Sequence, residues 1–539
     1  MHKPFNLLFF ASLLFSLGSN VGSNLTIPKA IAQETTRETT IAQRQTRNNT
    51  SERVAAWFES NRDRPTKLRA FLQRMPKGGD IHSHLSGAVY AESYLEWAAE
   101  EGYCVNTDTL STDHLTLIEP QNCDRTLENA IAVEDLQEKR TDIYNAWIDR
   151  WSTRNLAFAG ESGHDRFFNS FQGFDPISSL LSRRGEMVGR VANRAAAQHI
   201  FYLELMLTFQ SSEVRNLGRE VWDGDFASTR QKLLANGLPQ LIEAGQKEAE
   251  AIAQGISRAL ECDTPNPQPG CEVTVRYLQQ TTRIKSPAEV FAQFVYAFEL
   301  VQTEELVVGL NLVAPEDHPL ALRDYTLQME MLQLLNRQYP NINIALHAGE
   351  LTLGLVPPSD LKNHIRQAVE IAEADRIGHG AGIFYEENPL QLLEEMKRRG
   401  VLVEICLTSN DVILGVKGED HPFPDYLQAG VPVTLASDDE GISRIDLSNE
   451  YLRAAQTYNL GYLDLKKLAR NSLEYSFIGG DSLWQSPNFS TMIDACADDV
   501  PGGTLSRECN EFLQTSDRAR EQWRLEVEFT EFENLSWLR

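Results

Sequence analysis

A chain of 539 residues, 42% of them hydrophobic, can bury a large core and suits one elaborated domain with insertions. Acidic residues outnumber basic ones by 76 to 50, for a formal net charge of −26. With no Lys/Arg-rich run, that balance argues against a nucleic-acid backbone or an anionic membrane surface as partner and favours a small neutral or cationic ligand.

The first residues combine Lys3 with an apolar run from Phe5 to Leu17, and "AIAQ" offers Ala30 and Ala32 as the small residues of a cleavage site. This pattern predicts a secretory signal peptide over 1–32, hence a periplasmic or secreted protein. The run is too short for the ~20 residues a membrane-spanning helix needs, and no later segment is long and apolar enough, so the mature chain is expected to have no membrane span. The polar stretch "QETTRETTIAQRQTRNNTSER" predicts a disordered leader over 33–60.

Eight short apolar segments follow. They are "GDIHSHL", "FYLELMLTF", "EVTVRYLQQT", "VVGLNLV", "INIALHAGE", "DRIGHG", "VLVEICLTSN" and "VPVTLASDD". Between the later ones lie stretches with helical spacing, such as "LALRDYTLQMEMLQLLNRQY" and "NPLQLLEEMKRRG". Strands alternating with helices point to a parallel sheet, and eight of them predict a (β/α)8 TIM barrel over 61–480. A doubly wound open sheet is the alternative, but no Gly-rich phosphate loop follows the first strand. Long insertions are expected after strands 1 and 2, and a C-terminal helical extension over 481–539. Of seven cysteines, Cys104 and Cys123, Cys262 and Cys271, and Cys496 and Cys509 bracket loop-like stretches and are suggested pairs; Cys406, within "LVEICLTSN", is expected to be a buried free thiol.

The polar residues gather at the strand ends. His82 and His84 close the first strand, two apart and so on one face. His347 and Glu350 close the fifth, His379 the sixth, and Asp438 with Asp439 the eighth. In a barrel these ends converge at one rim, where active sites of this architecture lie. His82, His84, His347 and Asp438 would then surround one point, and that mix of nitrogen and carboxylate ligands suits one catalytic Zn2+ per chain with an open position for water.

Taken together, "GDIHSHLSGA", "ALHAGE", "RIGHG", "EICLTSN" and "PVTLASDDEG" resemble the successive motifs of the adenosine deaminase family, in the metal-dependent amidohydrolase superfamily, across roughly residues 68–477. Export and the suggested disulfides are similar to the secreted, growth-factor-like members. The resemblance implies hydrolytic deamination of adenosine or 2′-deoxyadenosine to inosine and ammonia, with zinc-bound hydroxide attacking purine C6. It implies that Glu350 donates a proton to N1, which needs a buried carboxyl kept partly protonated near neutral pH. It also implies that His379 accepts or orients the water proton, that Asp438 binds zinc and steers the hydroxide, that Asp439 bonds purine N7, and that the backbone near Ala314 approaches N3. The partner implied is a small purine nucleoside; oligomeric state is not legible.

Three positions depart from the family pattern. Ser86 stands where the family usually has the Asp that binds the ribose 5′-hydroxyl, Asn311 replaces an Asp, and Ala314 replaces the Gly nearest the purine. These leave open a related substrate such as a 5′-modified adenosine or adenine, or a non-catalytic secreted binding protein of the same fold. A two-metal hydrolase would call for a lysine at the fourth strand end, which "VVGLNLVAPED" lacks. Ser409 and Asn410 are expected to shape the rim. Phe167, Phe168 and Phe171 have a helical spacing that fits capping of the purine and core packing equally, and they are left out of the site; His114, His164, His199, His318, His364 and His421 read as ordinary surface or packing residues.

Overall fold

The structure is a computed structural model and describes residues 50–107, 117–127 and 129–536. The expected signal peptide and most of the expected leader lie outside the described residues. The end of that leader does not: residues 50–60 are helical, with Val54 and Phe58, four apart, fully buried in the main core and Ser51 Oγ donating to Glu533. The polar composition of the stretch hides one apolar stripe, and the stripe finds a partner at the far end of the chain.

Eight parallel strands form one sheet in sequence order: β1 (Gly78–His84), β2 (Ile200–Leu207), β3 (Thr274–Thr282), β4 (Val307–Val313), β5 (Ile344–Ala348), β6 (Arg376–His379), β7 (Leu402–Ile405) and β8 (Val433–Leu435). Every residue of β1, β2 and β5 to β8 is buried, as expected of strands covered on one face by helices and on the other by the barrel interior. The ring closes between β1 and the segment after β8, where His84 N donates to Asp438 O and Asp438 N donates to His82 O, each at 3.0 Å. The bonds that close the barrel are thus made by the residues expected to meet at its rim.

The insertion after β1 holds several helices and a small antiparallel sheet, Cys104–Asn106 with Leu117–Ile118 and Ala130–Ala132, that the sequence did not announce. Its helix Gly163–Ser178, capped by Ser162 Oγ accepting from Asp165 N, reaches over the rim. The insertion after β2 is helical, with Ser211–Val221, Phe226–Ala235 and Leu238–Ala259. The C-terminal helix Asp517–Glu533 packs outside the barrel and buries Trp523, Phe529 and Phe532. Cys104 pairs with Cys123, Cys262 with Cys271 and Cys496 with Cys509, and Cys406 is a buried free thiol. Among the described residues, no helix is long and apolar enough to cross a membrane.

Candidate active site

The strand ends carry their polar groups to one place. Donor atoms of His82, His84, His347 and Asp438 all lie within 4.8 Å of one another. His84 Nε2 stands 3.2 Å from His347 Nε2, and Asp438 Oδ1 stands 3.3 Å from His82 Nε2 and 3.4 Å from His84 Nε2. His82 Nε2 and Asp438 Oδ1 are buried without a hydrogen-bond partner. Buried polar atoms of a native site normally have one, so this pair suits coordination to a metal ion.

Each imidazole is held from behind. His82 Nδ1 meets Glu404 Oε2 at 2.5 Å, His347 Nδ1 donates to Asn311 Oδ1 at 2.7 Å, and the Gln280 side-chain amide lies 2.7 Å from His84 Nδ1. Glu404 and Asn311 accept at Nδ1 and so leave Nε2 of His82 and His347 free for a metal; at His84 the same role requires the Gln280 amide to face the ring through its oxygen. Glu404 is itself clamped by Arg376, whose guanidinium pairs with Glu404 at 2.6 Å and Glu204 at 2.7 Å and lies over the Phe477 ring. Burial opposes charge on Glu404, but Arg376 and His82 hold its carboxyl below the usual range. Gly378 leaves room for this arrangement, because a Cβ there would sit 2.6 Å from His82 Cε1. Replacing Glu404 by Gln is expected to weaken binding of a divalent metal at this cluster about 10- to 100-fold, as read by competition with a chromophoric chelator; unchanged affinity would show that the carboxylate does not tune His82.

Electrostatics favour a cation at the common point. Burial resists a charge on His82, yet Glu404 and Asp438 overcome it and raise its imidazole to about 10, which reflects the negative surroundings of this point. Burial lowers His84 to about 4 and His347 well below its ordinary value, which leaves both as neutral imidazoles able to ligate. Burial would raise Asp438, but the surrounding histidines, His82 first, hold it far below the usual carboxylate range. Three imidazoles and one carboxylate around two orphaned atoms fit a divalent metal.

Glu350 and His379 face the same space, with His379 Nε2 3.6 Å from Glu350 Oε1. Burial, with Asp438 and Glu316 nearby, pushes the Glu350 carboxyl well above its ordinary value, which favours its protonated form. Its position is set by Glu316, whose carboxylate accepts from Glu350 N at 2.8 Å, from Gly349 N at 3.1 Å and from the His364 ring at 2.5 Å. Asp439 is likewise raised by burial and by Asp438. Gly87 is required beside it, since a Cβ there would overlap the Asp439 carboxylate. Ala314, His379 and Asp438 all have positive φ, at 83°, 65° and 58°. Ala314 keeps a left-handed backbone that glycine adopts without strain, and its methyl lines the cavity.

These groups line one cavity of about 470 Å³, which also takes in Ser86, Gln280, Ile284, Val313 and His318. All of the expected site residues except fully buried His82 are on its wall, and His82 lies directly behind. One open reading is resolved here and one expectation is corrected. Phe167, Phe168 and Phe171 do pack edge-on, but they also form part of the cavity wall, because the helix that carries them is laid over the rim and tied there by His164 Nε2 to Asp317 Oδ1 at 3.1 Å. His318, His364 and His421 are not ordinary: the first lines the cavity, the second holds Glu316, and the third bonds Asn410. Ser409 Oγ donates to Asp438 Oδ2 at 2.6 Å, and Asn410 touches His379, so both serve the rim as expected.

Residues 159–484, more than half of the chain, match the adenosine deaminase family. The chain belongs to the adenosine deaminase family. The matched stretch starts after β1, so His82 and His84 come from outside it and join the site through the barrel closure. An adenosine deaminase of Clostridium perfringens is 32% identical over 181 residues, 33% of this chain and 51% of that protein. An aminodeoxyfutalosine deaminase of Streptomyces coelicolor is 27% identical over 289 residues, 53% of this chain and 62% of that protein. In these alignments the chain spans about half to three fifths of its curated relatives' length. The apo structure of the N6-methyl-AMP deaminase from Arabidopsis thaliana shares the fold, with a TM-score of 0.50, 20% identity and coverage of 76% of this chain and 94% of that one. Members of the family are metal-dependent hydrolases, and this chain carries a His/Asp cluster that suits a metal.

Proposed function

We propose that the protein is a zinc-dependent deaminase of adenosine and 2′-deoxyadenosine, releasing inosine or deoxyinosine and ammonia. The observation that carries this reading is a buried Glu350, its carboxyl shifted toward the protonated form, in one cavity with a four-donor cluster that has two orphaned atoms. Zinc held by His82, His84, His347 and Asp438 supplies, when bound, the Lewis acidity that makes water a nucleophile at neutral pH. Glu350 gives its proton to N1 and so leaves C6 short of electrons, ready for attack. Asp439, kept protonated by burial and by Asp438, donates to N7 and fixes the base. Ser409 holds Asp438, and the pair steers the water oxygen toward C6. Ala314 closes the wall beside N3.

The ribose of a nucleoside lies on the side of the base away from C6 and so meets the outer wall. Among the described residues that wall has no Lys or Arg; Phe168, Phe171, Ile284 and Val313 make it apolar, and Ser86 and Gln172 are neutral. The one long helix that starts there, Pro319–Gln338, is already capped by His318 Nδ1 accepting from Leu320 N. A phosphate would find no charged partner. The same apolar wall favours a second reading, a nucleoside with an uncharged group on its 5′ carbon. In an ultraviolet assay, kcat/KM for adenosine or 5′-methylthioadenosine is expected to exceed that for AMP at least 100-fold, with adenine poorly used; AMP turned over as fast as adenosine would overturn the reading.

Export is proposed with this function, because three local disulfides suit an oxidising compartment. Protein recovered from its producing cells should begin at Gln33; an intact Met1 terminus would contradict this.

A further inference from the structure

We propose that Asn410 and His421 lock neutral His379 with its proton on Nε2, so that His379 gives a hydrogen bond to the reacting oxygen and does not take the proton that water releases. The proposal rests on the deaminase reading above for its chemistry, but the lock itself is read from donors and acceptors alone.

The starting point is a backbone group whose role is not open to choice. Phe423 N–H points at His421 Nδ1 at 3.1 Å, so that nitrogen is an acceptor and carries no proton. His421 is buried, and burial lowers its imidazole to about 4, so with Nδ1 accepting it is the neutral ring with its one proton on Nε2. Nε2–H then donates to Asn410 Oδ1 at 2.9 Å. That bond decides which way the Asn410 amide faces, and its NH2 is left to donate to His379 Nδ1 at 3.0 Å. With Nδ1 accepting, neutral His379 must carry its proton on Nε2.

The consequence is visible at the other side of the ring. His379 Nε2 is buried and has no hydrogen-bond partner, and it faces the cavity 3.6 Å from Glu350 Oε1. An N–H placed there can give a hydrogen bond to the oxygen that attacks C6 and orient it. It cannot act as a base, because its only lone pair is on Nδ1 and is engaged by Asn410. As the O–C6 bond forms, one proton of water goes instead to Glu350, whose own has been given to N1; Glu350 passes it to the amine, which departs as ammonia when the C6–N bond breaks, and takes back the proton left on the C6 oxygen as the carbonyl forms. The same proton keeps His379 from ligating through Nε2, although donors of His379 and Cys406 lie within 4.8 Å of those of His82 and Asp438. Asn410 and His421 are thus positioning residues that act through His379.

Neutron diffraction from the zinc-loaded protein tests the lock without any variant. Deuterium is expected on Nε2 of His379 and on Nε2 of His421, with none on either Nδ1; deuterium on Nδ1 of His379 overturns the proposal. Asn410→Asp tests the consequence, since a carboxylate accepts and pulls the proton to Nδ1. Its kcat should fall about 10²- to 10⁴-fold with KM and zinc content little changed. Wild-type kcat with the proton moved to Nδ1 would overturn the donor role. A protein that deaminates no purine but carries the proton on Nε2 would lose the functional reading and keep the lock.

Discussion

Replacing Glu350 by Gln is expected to lower kcat for adenosine by about three orders of magnitude while zinc content and KM stay close to those of the wild type. The glutamine keeps the shape and the hydrogen bonds that Glu316 makes to the backbone of residues 349 and 350, so the loop stays in place. What disappears is a transferable proton. A buried carboxyl whose charge is disfavoured by desolvation and by the negative Asp438 and Glu316 is neutral when substrate arrives, and it ionises only as N1 accepts its proton. That exchange belongs to the transition state and not to binding, which is why the loss falls on kcat. Activity within a few fold of wild type would remove Glu350 from its role, whatever the metal content.

The second large effect is expected from His347→Ala. Three remaining donors would hold a divalent ion poorly, and the chain should be recovered with close to no zinc and with activity at background. The fold should survive, because the barrel core does not depend on this ring: Leu346 and Ala348 on either side are fully buried and β5 keeps its register with β4 and β6. Thermal unfolding separates this from a folding defect. Zinc at 1,000 times its dissociation constant would stabilise the wild type by about 4 kcal/mol, a shift the variant should lack. A variant that binds zinc and is stabilised by it as the wild type is would show that His347 is not a ligand.

Much of this site is legible from the strand ends. His82 and His84 announce a shared face by their spacing, and "ALHAGE", "RIGHG" and "ASDD" each put acids or imidazoles just where an apolar run stops. The barrel closes where that reading requires. What the sequence hides are partners brought in by register. Glu404 lies in "LVEIC" as one acid in a buried strand, and only the pairing of β6 with β7 sets it between Arg376 and His82. Gln280 reads as one of two glutamines in "YLQQT", and its contact with His84 needs β2 and β3 side by side with β1. Glu316 and His364 look like solvent-facing residues of a turn and a helix start, yet both are buried beneath Glu350.

The insertions were the least legible part. Helical spacing correctly marked Phe167, Phe168 and Phe171 as one stripe, but spacing does not say what the stripe faces, and here it faces both the core and the cavity. The three-stranded sheet of the first insertion is built from segments of two or three residues, too short to carry a period of two. His421 had no motif around it; its importance comes from a single backbone donor at Phe423 and one amide at Asn410.

Anomalous diffraction measured on both sides of the zinc absorption edge, from crystals of the protein grown with zinc, bears most directly on the whole reading. One strong peak is expected per chain, within about 2.0–2.2 Å of a nitrogen of His82, His84 and His347 and of a carboxylate oxygen of Asp438. No peak among these four residues, or a peak held by other side chains, would contradict it.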